Sequence, residues 1–511
     1  MDRTNRIIYN TGVVYAQMVI SAVVSLLSVR YVLQALGEED YGVYMLVAGV
    51  IALLDILSSS MAHTSMRYMA HSLGKNDLDT SLKTFNTTLF IHYCLAAILV
   101  VVLEVGGWIM FEWFVNIPEG KLFSAKVVYQ FMVVTSLVTV VSVPFDAVIN
   151  SHENLLFLAV IGIAESIVGI GIALLLFIYD DDRLILYGLL MMILKIVVRI
   201  VKQVYTRTKY PECRVNFRKH RDKELMKSIL SFTGWDFLNV AASMCTTQVR
   251  GILINMFFGV KLNAAEGVGK KVNSKLNQLS TGISRAITPQ MNKSEGGGDR
   301  NRLIQLTFSG VKFTTFMYCL LGVPLMCEMQ YVLDVWLKDV PAYTAIFCQL
   351  CILLQIISKF TWQIGNAVRA VGRIKEMQII ASVLAFMGVI IGYFVFKSGA
   401  GPVSIYLIEI FIALIGMGTN LYFGKKIVNI MPKDFIRKAT LPVIIPIVIS
   451  LIIVLPIHYL LNEGFLRFAL VFSLFIVSNF LIFWFYSMSK SERKRLTGLV
   501  VNKIHKKKAN R

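Results

Sequence analysis

Apolar residues in this chain fall into runs of about twenty, separated by short polar stretches, from one end to the other. A run of that length, coiled at 1.5 Å per residue, crosses a hydrocarbon layer of about 30 Å. Fourteen such spans are predicted. The first two lie at 9–34 and 41–66, the seventh and eighth at 228–258 and 264–288, and the last two at 440–461 and 465–487. Composition points the same way: 56% of the 511 residues are hydrophobic and 16% charged. That balance lies outside the range of soluble globular domains and predicts an all-α, polytopic membrane protein.

The formal charge of +20 would suit a nucleic-acid partner, but the charges alternate by loop. With the N-terminus placed in the cytoplasm, 33 of the 51 Lys and Arg fall in cytoplasmic tails and loops, against 5 in the opposite loops. Basic residues flanking spans stay on the cytoplasmic side, so both termini are predicted to be cytoplasmic and no nucleic acid is expected as a partner. Acidic residues mark outer loops, as in GEED at 37–40 and DDD at 180–182. The tail 488–511 is basic and suits contact with anionic membrane lipid. Cys348 and Cys351 form a CxxC inside an apolar span with no histidine nearby, which favours packing over metal binding. GVGKK at 267–271 lacks the first glycine and the Ser/Thr of a phosphate loop. No metal, cofactor or enzymatic activity is expected.

The chain repeats itself at an offset of 222 residues. Thr11 and Gly12 match Thr233 and Gly234, Gly37 matches Gly259, Ser58 matches Ser280, Ser72 matches Ser294, and Asp77 matches Asp299. One copy starts at the first span and the next at the seventh, so both begin on the same side of the membrane. The expected divisions are an N-lobe at 1–205, a basic cytoplasmic linker at 206–227 with a short surface helix, a C-lobe at 228–424, two further helices at 425–487, and the tail.

ALGEEDYGVY at 35–44, SMRYMAHSLGKNDLDTSLKTF at 65–85 and ISRAITPQMNKSEGGGDRNRL at 283–303 resemble segments of the Wzx-like polysaccharide flippases. These belong to the multidrug, oligosaccharidyl-lipid and polysaccharide (MOP) exporter superfamily. The resemblance implies two six-helix lobes in a V around a central cavity, as in multidrug (MATE-like) exporters, with two extra C-terminal helices. It also implies a multi-pass protein of the bacterial inner membrane whose substrate is an oligosaccharide on a polyprenyl diphosphate, destined for O-antigen, capsule or another surface polysaccharide. A polymerase and glycosyltransferases of the same route would be its partners.

The eighth span carries the most distinctive chemistry. Lys271, Lys275, Gln278, Gly282 and Arg285 follow one another at spacings of 4, 3, 4 and 3, which places them in one stripe of a helix. Val272, Leu276, Leu279, Ile283 and Ile287 occupy the opposite side. Each Lys or Arg at mid-bilayer costs about 2.5–3.5 kcal/mol on insertion scales, so the stripe is not expected to face lipid. Under the repeat, Lys270, Lys271, Lys275, Gln278 and Arg285 correspond to Ala48, Gly49, Leu53, Ile56 and His63. The scaffold therefore does not require the cations. Two readings follow: a cavity that compensates an anionic diphosphate, or a wet helix face whose lysines pair with carboxylates such as Glu266, four residues before Lys270.

Other ionisable residues in or beside the spans admit similar pairs of readings. Arg30 and Arg250 suit the cavity or snorkel from outer helix ends. Arg67 would meet a head group or simply mark the cytoplasmic side. Lys359, beside Trp362 and Gln363, is a candidate saccharide contact. Asp55 and Asp236 are candidates for ion coupling or for internal ion pairs. The competing function is a cation-coupled multidrug antiporter of the same broad fold, for which an acidic or apolar cavity would be expected instead.

The topology is testable by cysteine labelling of intact cells with an impermeant reagent. A cysteine introduced at 181 should react and one at 215 should not; the reverse pattern would invert the assignment.

Overall fold

The computed structural model describes residues 3–52, 55–114, 119–337, 340–490 and 492–493, with a number of side chains before Ser60 outside the description. Among the described residues the structure is helical and contains no strand. Among the described residues eleven helices are long and apolar enough to cross a membrane, and the described parts of the fourteen predicted spans fall on helices except for a few residues at span ends. The helices are α1 (Arg3–Ala52), α2 (Asp55–Gly74), α3 (Leu78–Ile109), α4 (Glu119–Ser151), α5 (Leu155–Leu175), α6 (Arg183–Lys209) and α7 (Phe217–His220). They continue as α8 (Lys223–Phe258), α9 (Val260–Gly296), α10 (Arg300–Cys327), α11 (Met329–Leu337), α12 (Thr344–Val371), α13 (Lys375–Lys397) and α14 (Ser404–Phe423). The last are α15 (Pro432–Phe435), α16 (Leu441–Leu460) and α17 (Phe465–Ile482).

The repeat is visible as backbone geometry. Gly37 breaks α1 at φ 78° and its counterpart Gly259 separates α8 from α9 at φ 84°. Both conformations are costly for a residue with a Cβ, so glycine at both positions sets where each first helix pair turns. After the second helix of each copy the chain turns through another left-handed pair, Asn76 at φ 54° and Gly298 at φ 76°. Asp77 and Asp299 then cap α3 and α10 by accepting from the backbone N–H groups of Asp79 and Arg302, each at 3.0 Å.

Two compact units emerge. One holds Gly12–Phe237 with Asn292–Gly298. Its core packs Val32, Val43, Val128, Ala173 and Tyr187, with a second cluster of Met69, Phe85, Phe145 and Cys213. The linker packs into this second cluster: the Asn216 N–H donates to Asn86 Oδ1 at 2.8 Å, and Asn86 Nδ2 donates to the Arg214 carbonyl at 2.9 Å. Burial and the neighbouring Glu212 push the Cys213 thiol up, so this native cysteine does not compete with a label at the exposed Val215. The linker also contains the expected short helix, α7.

The other unit holds Leu238–Met291 and the described residues from Asp299 on, with those up to Thr11. Its core joins Leu276, Tyr318, Cys348 and Ile352. Cys348 and Cys351 are both buried here among apolar neighbours, and no group of metal-ligating side chains occurs among the described residues. The two C-terminal spans, α16 and α17, pack on α10 through Cys319, Val323, Val454, Val471 and Phe475. They are held electrostatically at both ends: buried Glu328 pairs with His458 at 2.7 Å and Arg467 at 3.0 Å, and Lys312 pairs with Glu492 at 2.8 Å.

Two boundaries differ from expectation. The eighth span was predicted to end at 288, before Pro289, yet α9 continues through that proline to Gly296. A single lost N–H is tolerated where neighbouring helices hold the backbone. The short helix α11 was not anticipated, because nine residues are too few for a span.

In the first unit, Gly74 meets the Lys293 carbonyl and Gly296 meets that of His71, so closely that a Cβ at either glycine would overlap it. Under the 222 offset Gly74 corresponds to Gly296 and His71 to Lys293, so the two contacts are copies of one another. Gly74→Ala and Gly296→Ala should each lower stability by about 1–3 kcal/mol, the usual cost of overpacking. Gly418→Ala, where a Cβ meets open space, should not. Thermal unfolding in detergent compares the three; equal midpoints would show the contact to be slack.

Candidate functional site: the polar faces of α9

Helix α9 presents its chemistry on two faces. Lys271, Lys275, Gln278 and Arg285 are all exposed, as the periodicity predicts, while Leu276, Ile283 and Ile287 are buried. Gly282, expected in the same stripe, is buried instead. Among the described residues Lys271, Lys275 and Arg285 form no ion pair with a carboxylate. Fourteen positions separate the first from the last, about 21 Å along the axis.

Lys270 and Arg250 belong elsewhere. Arg250 on α8 donates through Nε to Glu266 Oε1 at 2.9 Å and through Nη1 to Glu409 on α14. Lys270 reaches the same Glu266 oxygen at 2.9 Å and donates to the Thr247 carbonyl at 2.8 Å. The Arg250 guanidinium lies 5.0 Å from the Tyr406 ring centre. Two cations and two carboxylates thus neutralise each other in a nearly water-free setting, where an unpaired member would be costly. Lys270 and Arg250, both named as cavity candidates, are engaged in this cluster. The pairing of Lys270 with Glu266 was legible as an i, i+4 spacing. Glu409 lies 159 residues from Arg250, so no local spacing marks that pairing.

A second, half-buried polar seam runs along α9 that the sequence reading missed. Tyr318 OH donates to Asn273 Oδ1 at 2.6 Å, Gln355 Nε2 to Asn277 Oδ1 at 3.4 Å, and Gln363 Nε2 to Ser284 Oγ at 2.7 Å. These bonds fix the rotation of α9 against α10 and α12, and so determine which face carries Lys271 and Lys275. Asn and Ser among apolar residues every three or four positions are the signal that could have revealed it.

The remaining candidates are dispersed. Lys359 is 4% exposed and Gln363 fully buried, whereas Trp362 is exposed with Arg369 5.7 Å from its ring centre. The three neighbours therefore do not form one surface. In the other unit, Arg67 lies 4.7 Å from the ring centre of Tyr68 and 4.8 Å from that of Phe232. Asp236 is fully buried, accepts from Ser60 Oγ at 3.3 Å and lies 3.9 Å from His63 Nδ1. That setting matches the internal-pair reading more closely than an open ion site. The side chains of Arg30 and Asp55 lie outside the described residues.

Comparison with known proteins assigns this architecture. The profile of the polysaccharide biosynthesis protein family matches residues 5–294. No functionally curated relative matches the chain at the level of sequence. Among solved structures, a MATE in the bent conformation is similar over 85% of this chain and 97% of its own, at 13% identity and a TM-score of 0.72. The straight conformation gives 84%, 97%, 12% and 0.71. A MOP superfamily transporter from Pyrococcus furiosus, described as having a binding pocket of reversed polarity, gives 84%, 96%, 12% and 0.69. The fold is therefore that of the MATE transporters, and the chain belongs to the polysaccharide biosynthesis protein family of multi-pass membrane proteins.

Proposed function

We propose that this protein is a flippase of the bacterial inner membrane that moves a polyprenyl-diphosphate-linked oligosaccharide from the inner to the outer leaflet for surface polysaccharide synthesis. The observation that supports this reading is the exposed, carboxylate-free stripe of Lys271, Lys275 and Arg285 on a helix that buries Leu276, Ile283 and Ile287 on its opposite side. A diphosphate entering a low-dielectric passage loses hydration, and successive cations offset that loss. Their spacing hands the anion along without leaving it uncompensated.

In the assigned topology α9 runs from an outer loop inward, so Arg285 meets the substrate first and Lys271 last. An inside-negative potential favours outward movement of an anion by about 2.3 kcal/mol per charge per 100 mV across the full field. The polyprenyl chain remains in lipid while the head group crosses, and access alternates between the two sides. No bond is made or broken, so the chain needs no catalytic residue. A cationic drug would be repelled by the same stripe, which disfavours the antiporter alternative.

Depletion of the protein should cause lipid-linked saccharide to accumulate on the cytoplasmic face. Replacing Lys271, Lys275 and Arg285 together by Gln should reproduce that accumulation at normal protein levels, and Lys275→Glu alone should come close to it. Ile283→Leu on the buried face should leave transport near the unmodified rate. Export at the normal rate by the triple variant would refute the electrostatic track. Unchanged saccharide distribution on depletion would refute the flippase reading itself.

A further inference from the structure

We propose that a groove at the outer ends of α3 and α4 holds the headgroup of an outer-leaflet phospholipid carrying both a phosphate and a primary ammonium, a phosphatidylethanolamine. This groove lies in the unit that does not contain the α9 stripe, and the proposal is independent of the transport reading.

The groove encloses about 410 Å³ and is lined by Glu104, Trp108, Phe111, Phe123, Lys126 and Gln130, with Glu112 at its edge. Its floor is formed where Gly107 lets the Tyr129 ring approach the α3 backbone, with Tyr129 OH donating to the Leu103 carbonyl at 2.5 Å. The span Leu78–Trp113 contains 36 residues and Gly120–Ser151 contains 32, whereas about 20 suffice to cross the hydrocarbon layer. Their connected ends therefore rise into the interfacial region, on the outer side in the assigned topology. Trp108 is 63% exposed and Phe123 73% exposed there, as in the aromatic belts that face lipid at this depth.

The charges in the groove are of both signs and remain apart. Glu104 accepts from Gln130 Nε2 at 3.1 Å, and that neutral amide is its one hydrogen-bond donor among the described residues. Lys126 lies 5.8 Å from the Phe111 ring centre and, among the described residues, forms no ion pair with Glu104 or Glu112. A carboxylate at the lipid boundary with only an amide partner is poorly compensated. A ligand that brings an ammonium to Glu104 and Glu112 and a phosphate to Lys126, with acyl chains beside the exposed aromatic rings, satisfies every group at once. A choline headgroup has no N–H to donate to a carboxylate, and a glycerol headgroup has no cation. Both match the groove less well.

The test uses full-length detergent-purified protein offered equal amounts of phosphatidylethanolamine, phosphatidylcholine and phosphatidylglycerol with the same acyl chains, with bound lipid counted by native mass spectrometry. The unmodified protein should retain phosphatidylethanolamine over either competitor by about tenfold, the scale of one charge-assisted hydrogen bond. Glu104→Gln with Glu112→Gln should abolish the preference over phosphatidylcholine, and Lys126→Gln should reduce retention of all three. Equal retention by the unmodified protein, or a preference for phosphatidylglycerol, overturns the proposal whatever the variants do. So does a phosphatidylethanolamine preference that survives both sets of changes.

Discussion

A charged side chain inside a membrane must find a counter-charge, a hydrogen-bond network or water, and the arrangement of this protein follows from how each ionisable group meets that requirement. Arg250 and Lys270 meet it through Glu266 and Glu409. Lys195 pairs with Glu165, and Lys202 with Asp146 at 2.8 Å. Glu328 is satisfied by His458 and Arg467, which in doing so fasten the two C-terminal helices to α10. Like Lys359, the residues Lys271, Lys275 and Arg285 meet no carboxylate among the described residues, but unlike that buried lysine they are exposed. The proposed function assigns them water and a passing anion as partners, which is why it rests on them.

The polar seam and the cationic stripe depend on each other. Asn273, Asn277 and Ser284 bond to Tyr318, Gln355 and Gln363, and a helix so pinned holds its lysines on the opposite side. Gly269 strengthens the constraint, because a Cβ there would contact the α12 backbone at 3.4 Å. Polar contacts of this kind are modest singly, but several along one helix select a single rotation. The function proposed for the exposed face thus rests on the polar bonds of the opposite one.

Part of this was legible in the sequence because hydrocarbon thickness imposes a length and helical period a face. The 222-residue offset located Gly37 and Gly259, and both take the left-handed backbone that only glycine adopts easily. The partners were not legible. Arg250 meets Glu409 across 159 residues, and nothing in local spacing marks that pairing. The half-buried seam was not legible either, because the partners of Asn273, Asn277 and Ser284 lie 45 to 79 residues away. Lys359 and Gln363, four residues apart, share a buried face, whereas Trp362, 100° round the helix from Gln363, is exposed.

The central claim is that the stripe on α9 faces water within the membrane. Single cysteines placed in turn at positions 271–279, spin-labelled in reconstituted protein, report it through collision with a water-soluble nickel chelate and with lipid-soluble oxygen. Nickel accessibility should peak at 271, 275 and 278 and fall at 272, 276 and 279, with oxygen accessibility low throughout the stripe. Oxygen accessibility that peaks at 271, 275 and 278 would place the cations against lipid and contradict the account.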